Sequence, residues 1–99
     1  MQGHLSLAIW EPLPGKEAAS LATIRELGVL ISAKAYGHDL LYRSGRDYIL
    51  IRQWNSEHSQ QSALEDPELL RCWSRLGNEI RILKVYEKLE TVSGEPIQT

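Results

Sequence analysis

Apolar and polar residues alternate from His4 to Trp10, with Leu5, Leu7 and Ile9 set against His4, Ser6, Ala8 and Trp10. That period of two predicts a strand. Glu11-Pro12-Leu13-Pro14-Gly15 ends it, because neither proline has an N–H to donate to a ladder. From Lys16 the period lengthens, and Leu21, Ile24, Gly28, Ile31 and Ala35 share one helical stripe with Leu27 at its edge. A glycine inside a helix costs about 1 kcal/mol relative to alanine. A break at Gly28, followed by a strand from Val29 to Ala33, is therefore the alternative. The stripe crosses Gly28 in phase, which favours one long helix with small residues that approach the sheet closely. Gly37 is then expected as its left-handed C-cap.

His38 to Arg43 is the next short strand. Ser44-Gly45-Arg46-Asp47 supplies a hairpin turn with Gly45 free to take positive φ. The strand that follows, Tyr48 to Trp54, has Ile49, Ile51 and Gln53 on its odd face. Its even face carries Tyr48, Leu50, Arg52 and Trp54. Both faces are largely apolar, whereas a sheet with one wet face alternates apolar and polar residues. The strand asks for cover on both sides. A chain of 99 residues supplies helices for one side only, so the other side is expected to meet a second copy.

Asn55 or Ser56 can N-cap a short helix reaching about Leu64. Asp66-Pro67-Glu68 starts another, with an N-cap, a proline at the first helical position and an acid in the first turn. Leu69, Trp73, Leu76 and Ile80 repeat at helical spacing until Gly77-Asn78 interrupts them. Ile80 to Leu89 is the last strand, and residues 91–99 form a polar tail expected to be a loose end. The order β-α-β-β-α-β, with its second helix split at Glu65-Asp66, predicts an α+β, ferredoxin-like chain. The four strands would form one antiparallel sheet with the helices on one face.

Composition narrows the function classes. One domain is all this length allows. Apolar content of 42% and charged content of 24% are those of an ordinary globular protein. A formal charge of −2 with scattered Lys and Arg leaves no footprint for nucleic acid. No apolar run approaches the roughly 20 residues that cross a bilayer. Nor does the N-terminus show the basic and apolar regions of a signal peptide, so the cytoplasm is the expected location. The single cysteine, Cys72, excludes an intramolecular disulfide and a Cys-rich zinc site. The three histidines, His4, His38 and His58, show no metal-ligand spacing, and no G-x-S-x-G, Walker A or G-x-G-x-x-G motif is present.

A few side chains remain for chemistry. Arg52, flanked by Leu50 and Trp54 on one strand face, requires a carboxylate or a ligand anion as partner. His38, beside Gly37, is the better acid/base candidate of the three histidines, since an ordinary imidazole titrates near neutrality. Tyr42 and Tyr48 either donate hydrogen bonds to a phenolate or simply pack. Trp54, at a strand end, either lines a pocket or fills the core. Trp73 shares a stripe with Leu69 and Leu76 and fits the core better, while Trp10 is expected at an edge or interface. Cys72, in mid-helix, is expected to be inert.

Several of these stretches together resemble the antibiotic biosynthesis monooxygenase (ABM) group of the dimeric α/β barrel superfamily. They are Pro14-Gly15-Lys16-Glu17 opening a long helix, Tyr36-Gly37 before the second strand, Arg43-Ser44 at the hairpin, the corner Trp54-Asn55-Ser56-Glu57, and Asp66-Pro67. The resemblance spans roughly residues 4 to 89, giving an ABM-like domain over residues 1–90. It implies a homodimer in which two sheets face each other as a barrel, with a pocket between sheet and helices in each subunit. Some members oxygenate polycyclic phenols with O₂ and no metal or flavin, the deprotonated substrate itself donating an electron to O₂. No cofactor is therefore expected, and the substrate would be a small aromatic or polyketide-like molecule. Trp54 matches the family tryptophan that lines the pocket; Tyr48 and Trp73 would help bind substrate. Arg52 or Tyr42 would stabilise an oxyanion, and His38 would be a base. Quinone-forming members carry Asn where this chain has Leu50, and often His where it has Tyr42. A haem-degrading branch needs a tryptophan and a histidine at places that fall near Ala63 and Trp73, so haem chemistry is not expected. The alternative is a non-catalytic ligand-binding or stress-response dimer on the same fold.

Overall fold

Proline, glycine and capping residues punctuate the chain much as the pattern predicts. The computed structural model describes residues 4–92 and 94, so most of the tail expected to be a loose end lies outside the described residues. The elements run β1 (His4–Pro12), α1 (Glu17–Ala33), β2 (Gly37–Ser44), β3 (Asp47–Trp54), α2 (Glu57–Leu64), α3 (Pro67–Leu76) and β4 (Ile80–Leu89). The four strands form one antiparallel sheet in the order β2-β3-β1-β4, which is the α+β, ferredoxin-like topology. The dimeric barrel is a matter of a second copy and stays an expectation.

Register decides which side chains meet the helices. The pairs His4 with Trp54, Ser6 with Arg52, Ala8 with Leu50 and Trp10 with Tyr48 lie side by side on the helix-covered face. Leu7 with Ile51 and Ile9 with Ile49 lie on the other. The molecule is two layers thick, 17 Å along its shortest axis against 42 and 34 Å. Among the described residues nothing covers the second face, where half-buried Leu5, Leu7, Ile9, Ile49 and Ile51 adjoin exposed Leu40, Tyr42 and Tyr86.

The long helix survives Gly28, and its buried stripe is rotated from the predicted one. Ser20, Thr23, Ile24, Leu27 and Ile31 are buried, while Ala35 is exposed. Leu27 is central rather than marginal. The two buried hydroxyls, from Ser20 and Thr23, donate back to the carbonyls of Glu17 and Ala19, so burial leaves no donor orphaned. A Cβ at Gly28 would sit 3.5 Å from Asp39 Oδ2, an ordinary contact. The close approach expected there is not what keeps this glycine.

The C-cap moves as well. Ala35, not Gly37, takes the left-handed conformation at φ 58°. The Tyr36 N–H donates to Ile31 O and the Ala35 N–H to Ser32 O, the two bonds of a Schellman motif. Gly37 is needed for another reason: a Cβ there would lie 2.0 Å from the Gln53 carbonyl oxygen across the β2–β3 ladder. Gly45 does take positive φ, at 61°, with Ser44 paired to Asp47 across the two-residue loop.

Trp10 corrects another expectation. β1 lies between β3 and β4 rather than at an edge, and Trp10 is 1% exposed. Its ring stacks on Tyr48 with centroids 4.6 Å apart and planes 17° from parallel. An indole buried this far is worth roughly 3–5 kcal/mol on truncation.

Candidate functional site

Side chains of the covered sheet face stop short of α2 and α3 and leave a cavity of about 220 Å³. Ala8, Leu50, Arg52 and Trp54 form its floor, Gln60 and Trp73 close it from the helices, and Val85 and Glu87 bring in β4. A smaller inner cavity of about 130 Å³ shares Ala8, Leu50, Arg52 and Trp73 and continues to Trp10 and Leu27. An apolar cavity of ~150 Å³ is enough for benzene, so the larger of the two has room for a small aromatic ring. Apolar walls with a few convergent polar groups are what a small-molecule site requires.

Trp54 is held by its neighbours on the sheet. Its indole N–H donates to Ser6 Oγ at 2.9 Å, and the Ser6 hydroxyl donates to the Glu87 carbonyl at 2.6 Å. That relay crosses β3, β1 and β4 and fixes the ring as a wall. Two residues earlier on β3, the Arg52 guanidinium stands 5.5 Å from the Trp54 ring centroid, within cation–π range. Arg52 Nε donates to Asp39 Oδ1 at 2.6 Å and Nη2 to Asp39 Oδ2 at 2.9 Å, both side chains being about one-tenth exposed. Its Nη1 makes no hydrogen bond with the described residues, which leaves one donor edge of a planar cation for a ligand.

The structure brings Arg52, Trp54 and Trp73 together and sets the other nominated residues apart. Trp73 is half-buried and lines both cavities rather than filling the core. Tyr48 lies on the same sheet face beyond Trp10, with its hydroxyl donating to Glu17 Oε2 at 2.5 Å; it lines neither cavity. Tyr42 is exposed on the uncovered face, which alternation from Leu41 requires. His38 is exposed at the lip of a separate, more open groove between α1 and β2, alongside Arg25 and Ser32.

Ser6, Gln60, Glu87 and Asp39 were not singled out by their residue types. Asp39 alone had a local signal: in a two-residue hairpin pairing Ser44 with Asp47, the same count outward sets Asp39 opposite Arg52. Ser6 and Glu87 reach the site through pairings between strands far apart in sequence, which no local spacing encodes.

Two further clusters hold the helices that frame the site. Asp66 caps α3 by accepting from the Glu68 N–H at 2.9 Å, and also accepts from Lys34 Nζ and the Tyr36 hydroxyl at 2.8 Å each. The Lys34 ammonium, then the Tyr36 hydroxyl, hold its carboxyl at a pKa of about 2; the same contacts push Lys34 above the usual lysine range. On the other side of α3, Arg75 donates to Glu26 Oε1 at 2.7 Å, and the Cys72 thiol lies 3.3 Å from Glu26 Oε2. Burial, then the Glu26 carboxylate, pushes the thiol pKa up. A buried thiol whose charged form is disfavoured is what the mid-helix place of Cys72 led one to expect. Among the described residues no group of three or more His, Cys, Asp or Glu is placed to hold a metal ion, and no helix is long and apolar enough to cross a membrane.

No protein-family model and no curated protein sequence matches this chain. Solved structures do. A candidate antibiotic biosynthesis monooxygenase from Bacteroides thetaiotaomicron superposes with a TM-score of 0.78 at 10% identity, covering 98% of this chain and 97% of that one. SnoaB, a cofactor-independent oxygenase from Streptomyces nogalater, superposes in a mutant form at 0.72 and 14% identity over 90% and 96%. Rv0793 from Mycobacterium tuberculosis gives 0.71 at 19% identity over 93% and 100%. The chain therefore shares its whole fold with antibiotic biosynthesis monooxygenase-like proteins, the resemblance its motifs carried.

Proposed function

We propose that this protein is a cofactor-independent monooxygenase-like enzyme, working as a homodimer, that takes a small aromatic or polyketide-like molecule into the cleft beneath α2 and α3. The cleft itself carries the reading: an apolar slot walled by two tryptophans, with one fixed guanidinium offering a free donor edge. A cation in apolar surroundings lowers the pKa of a phenol beside it, because it stabilises the phenolate. Oxygen chemistry without a cofactor needs that electron-rich anion, together with little water. The fold shared with SnoaB, a cofactor-independent oxygenase, supports the same reading.

His38 stands outside this cleft, so deprotonation would fall to the pull of Arg52 or to solvent at the rim, where Glu87 is the carboxylate-bearing residue. A second reading, a non-catalytic ligand-binding dimer, draws on the Arg52–Asp39 pair, which already neutralises the cation that lines the cleft. Oxygen uptake by metal-free protein with a panel of hydroxylated polycyclic aromatics, anthrone- and quinol-type compounds included, separates the two. Uptake above the uncatalysed rate, lost in Trp54→Ala and Arg52→Ala, is the expected result. No uptake across the panel would favour the binding reading.

A further inference from the structure

The residues that line the cleft divide by exposure. Leu50, Arg52 and Trp54 on its floor are buried, whereas Leu64 of α2 and Val85 and Glu87 of β4 are exposed. The mouth of the cleft therefore lies between α2 and β4. Two ties cross it, and both are weak. Gln60 Nε2 donates to the Glu87 carbonyl at 3.4 Å, and Lys88 Nζ lies 3.5 Å from Glu57 Oε1. A well-made N–H···O bond closes to about 3 Å, and an exposed ion pair contributes little. Packing adds little more, since Ala63 is the one buried residue of α2.

The flanks of α2 are held differently. Before the helix, the Asn55 N–H donates to Tyr36 O at 2.8 Å, and its side-chain amide donates to Ala35 O. After the helix, Asp66 accepts from the Tyr36 hydroxyl and the Lys34 ammonium at 2.8 Å each. Both flanks are thus pinned to one corner, the turn from α1 to β2 at residues 34–36. A segment fixed at one base and weakly tied elsewhere is a flap, and flaps of this kind turn on the few residues at their ends. Ala63 sits beside the base at Asp66, and the two ties to β4 lie away from it.

We propose that α2 is the lid of the cleft, opening by leaving β4 while its base at residues 34–36 stays in place. This rests on reading the cleft as a ligand site for a small aromatic phenol. Gln60 is the latch. The Glu87 carbonyl that it grips also accepts from Ser6, and Ser6 holds Trp54. Opening therefore breaks the latch and leaves the Trp54 wall standing. A closed lid keeps water from a phenolate at Arg52, which chemistry without a cofactor requires.

Para-nitrophenol, a single-ring phenol that quenches tryptophan emission, is the probe, and stopped-flow fluorescence gives its rates. Glu57 and Lys88 are exposed and lie outside the cleft. In Glu57→Cys/Lys88→Cys, a bismaleimide with a cleavable disulfide ties α2 to β4. The tied protein is expected to take up the probe about tenfold more slowly than the same sample after reduction, since binding that must wait for a conformational change is slow. Single-cysteine variants treated alike show any reaction at buried Cys72. Gln60→Ala needs no crosslink and decides alone if tying fails. It is expected to raise association and dissociation by a similar factor and leave affinity nearly unchanged, because a lid gates passage both ways. Equal rates in tied and released protein would overturn the proposal. So would a Gln60→Ala variant in which dissociation alone changes, which marks a ligand contact and not a latch. A probe that binds neither form, nor the wild type, would remove the cleft reading along with the lid.

Discussion

Arg52 and Asp39 lie opposite each other across the β2–β3 hairpin and share two parallel N–H···O bonds of 2.6 and 2.9 Å. Both are nearly buried beside the cleft, so each is the other's main compensation. Removing one partner of such a pair strands the other charge, at about 3 kcal/mol or more, whereas replacing both with apolar residues is close to neutral. Urea unfolding of Asp39→Ala, Arg52→Met and the double variant is expected to show strong coupling, the double variant being the more stable of those lacking Asp39. Additive losses would mean that the pair is solvated and contributes little.

Two backbone positions carry residues better suited to the other. Ala35 is left-handed without being glycine, and Gly28 is helical with room for a Cβ. Ala35→Gly relieves a left-handed strain of roughly 1–2 kcal/mol, less what glycine adds to the flexibility of the unfolded chain. Gly28→Ala gains up to about 1 kcal/mol of helix propensity. Each is expected to raise the melting temperature by a few degrees, and, being far apart in the structure of the helix, the two are expected to add. A fall in either variant would show that the local backbone departs from this description.

Acid stability centres on Asp66. Its carboxyl is held at about 2, below the ordinary value of 3.8, first by Lys34 and then by Tyr36. A lowered folded-state pKa contributes stability that is fully present above the unfolded value and disappears as pH falls through the folded one. The wild type is therefore expected to lose stability between about pH 4 and pH 2, and α3 with its Trp73 to loosen in the same interval. Asp66→Asn keeps an acceptor for the Glu68 N–H but has no proton to take up. Melting temperatures across that interval are expected to fall less steeply in the variant; parallel curves would assign the acid loss elsewhere.

The uncovered sheet face is the basis for expecting a dimer. Leu40 is half exposed on it, beside Leu7 and Ile51, and an apolar face of this extent marks an interaction surface. Light scattering is expected to give twice the chain mass at micromolar concentration and the single-chain mass for Ile51→Lys. A wild-type monomer at that concentration would sink the two-sided reading of β3.

The elements themselves were legible because they are local. Period-two alternation in β1, the apolar run of β3, the Asp66-Pro67 start of α3 and the Gly45 turn each act over a few residues, and the structure follows them. The same hairpin count that makes Gly45 a turn also sets Asp39 against Arg52 and turns Tyr42 away from Arg52, so part of the site lay in the sequence too. The helix stripe and its cap were placed imperfectly, since Leu27 and Ala35 answer to the tilt of α1 on the sheet and not to period alone. The relay from Trp54 through Ser6 to Glu87, the pinning of both flanks of α2 to one corner and the opening of Trp73 onto a cavity were decided only by tertiary structure. Each joins strands or helices whose register is set by the long crossover connections through α1 and α2–α3. Pairing across such distances depends on how whole faces pack, and no spacing along the chain encodes it.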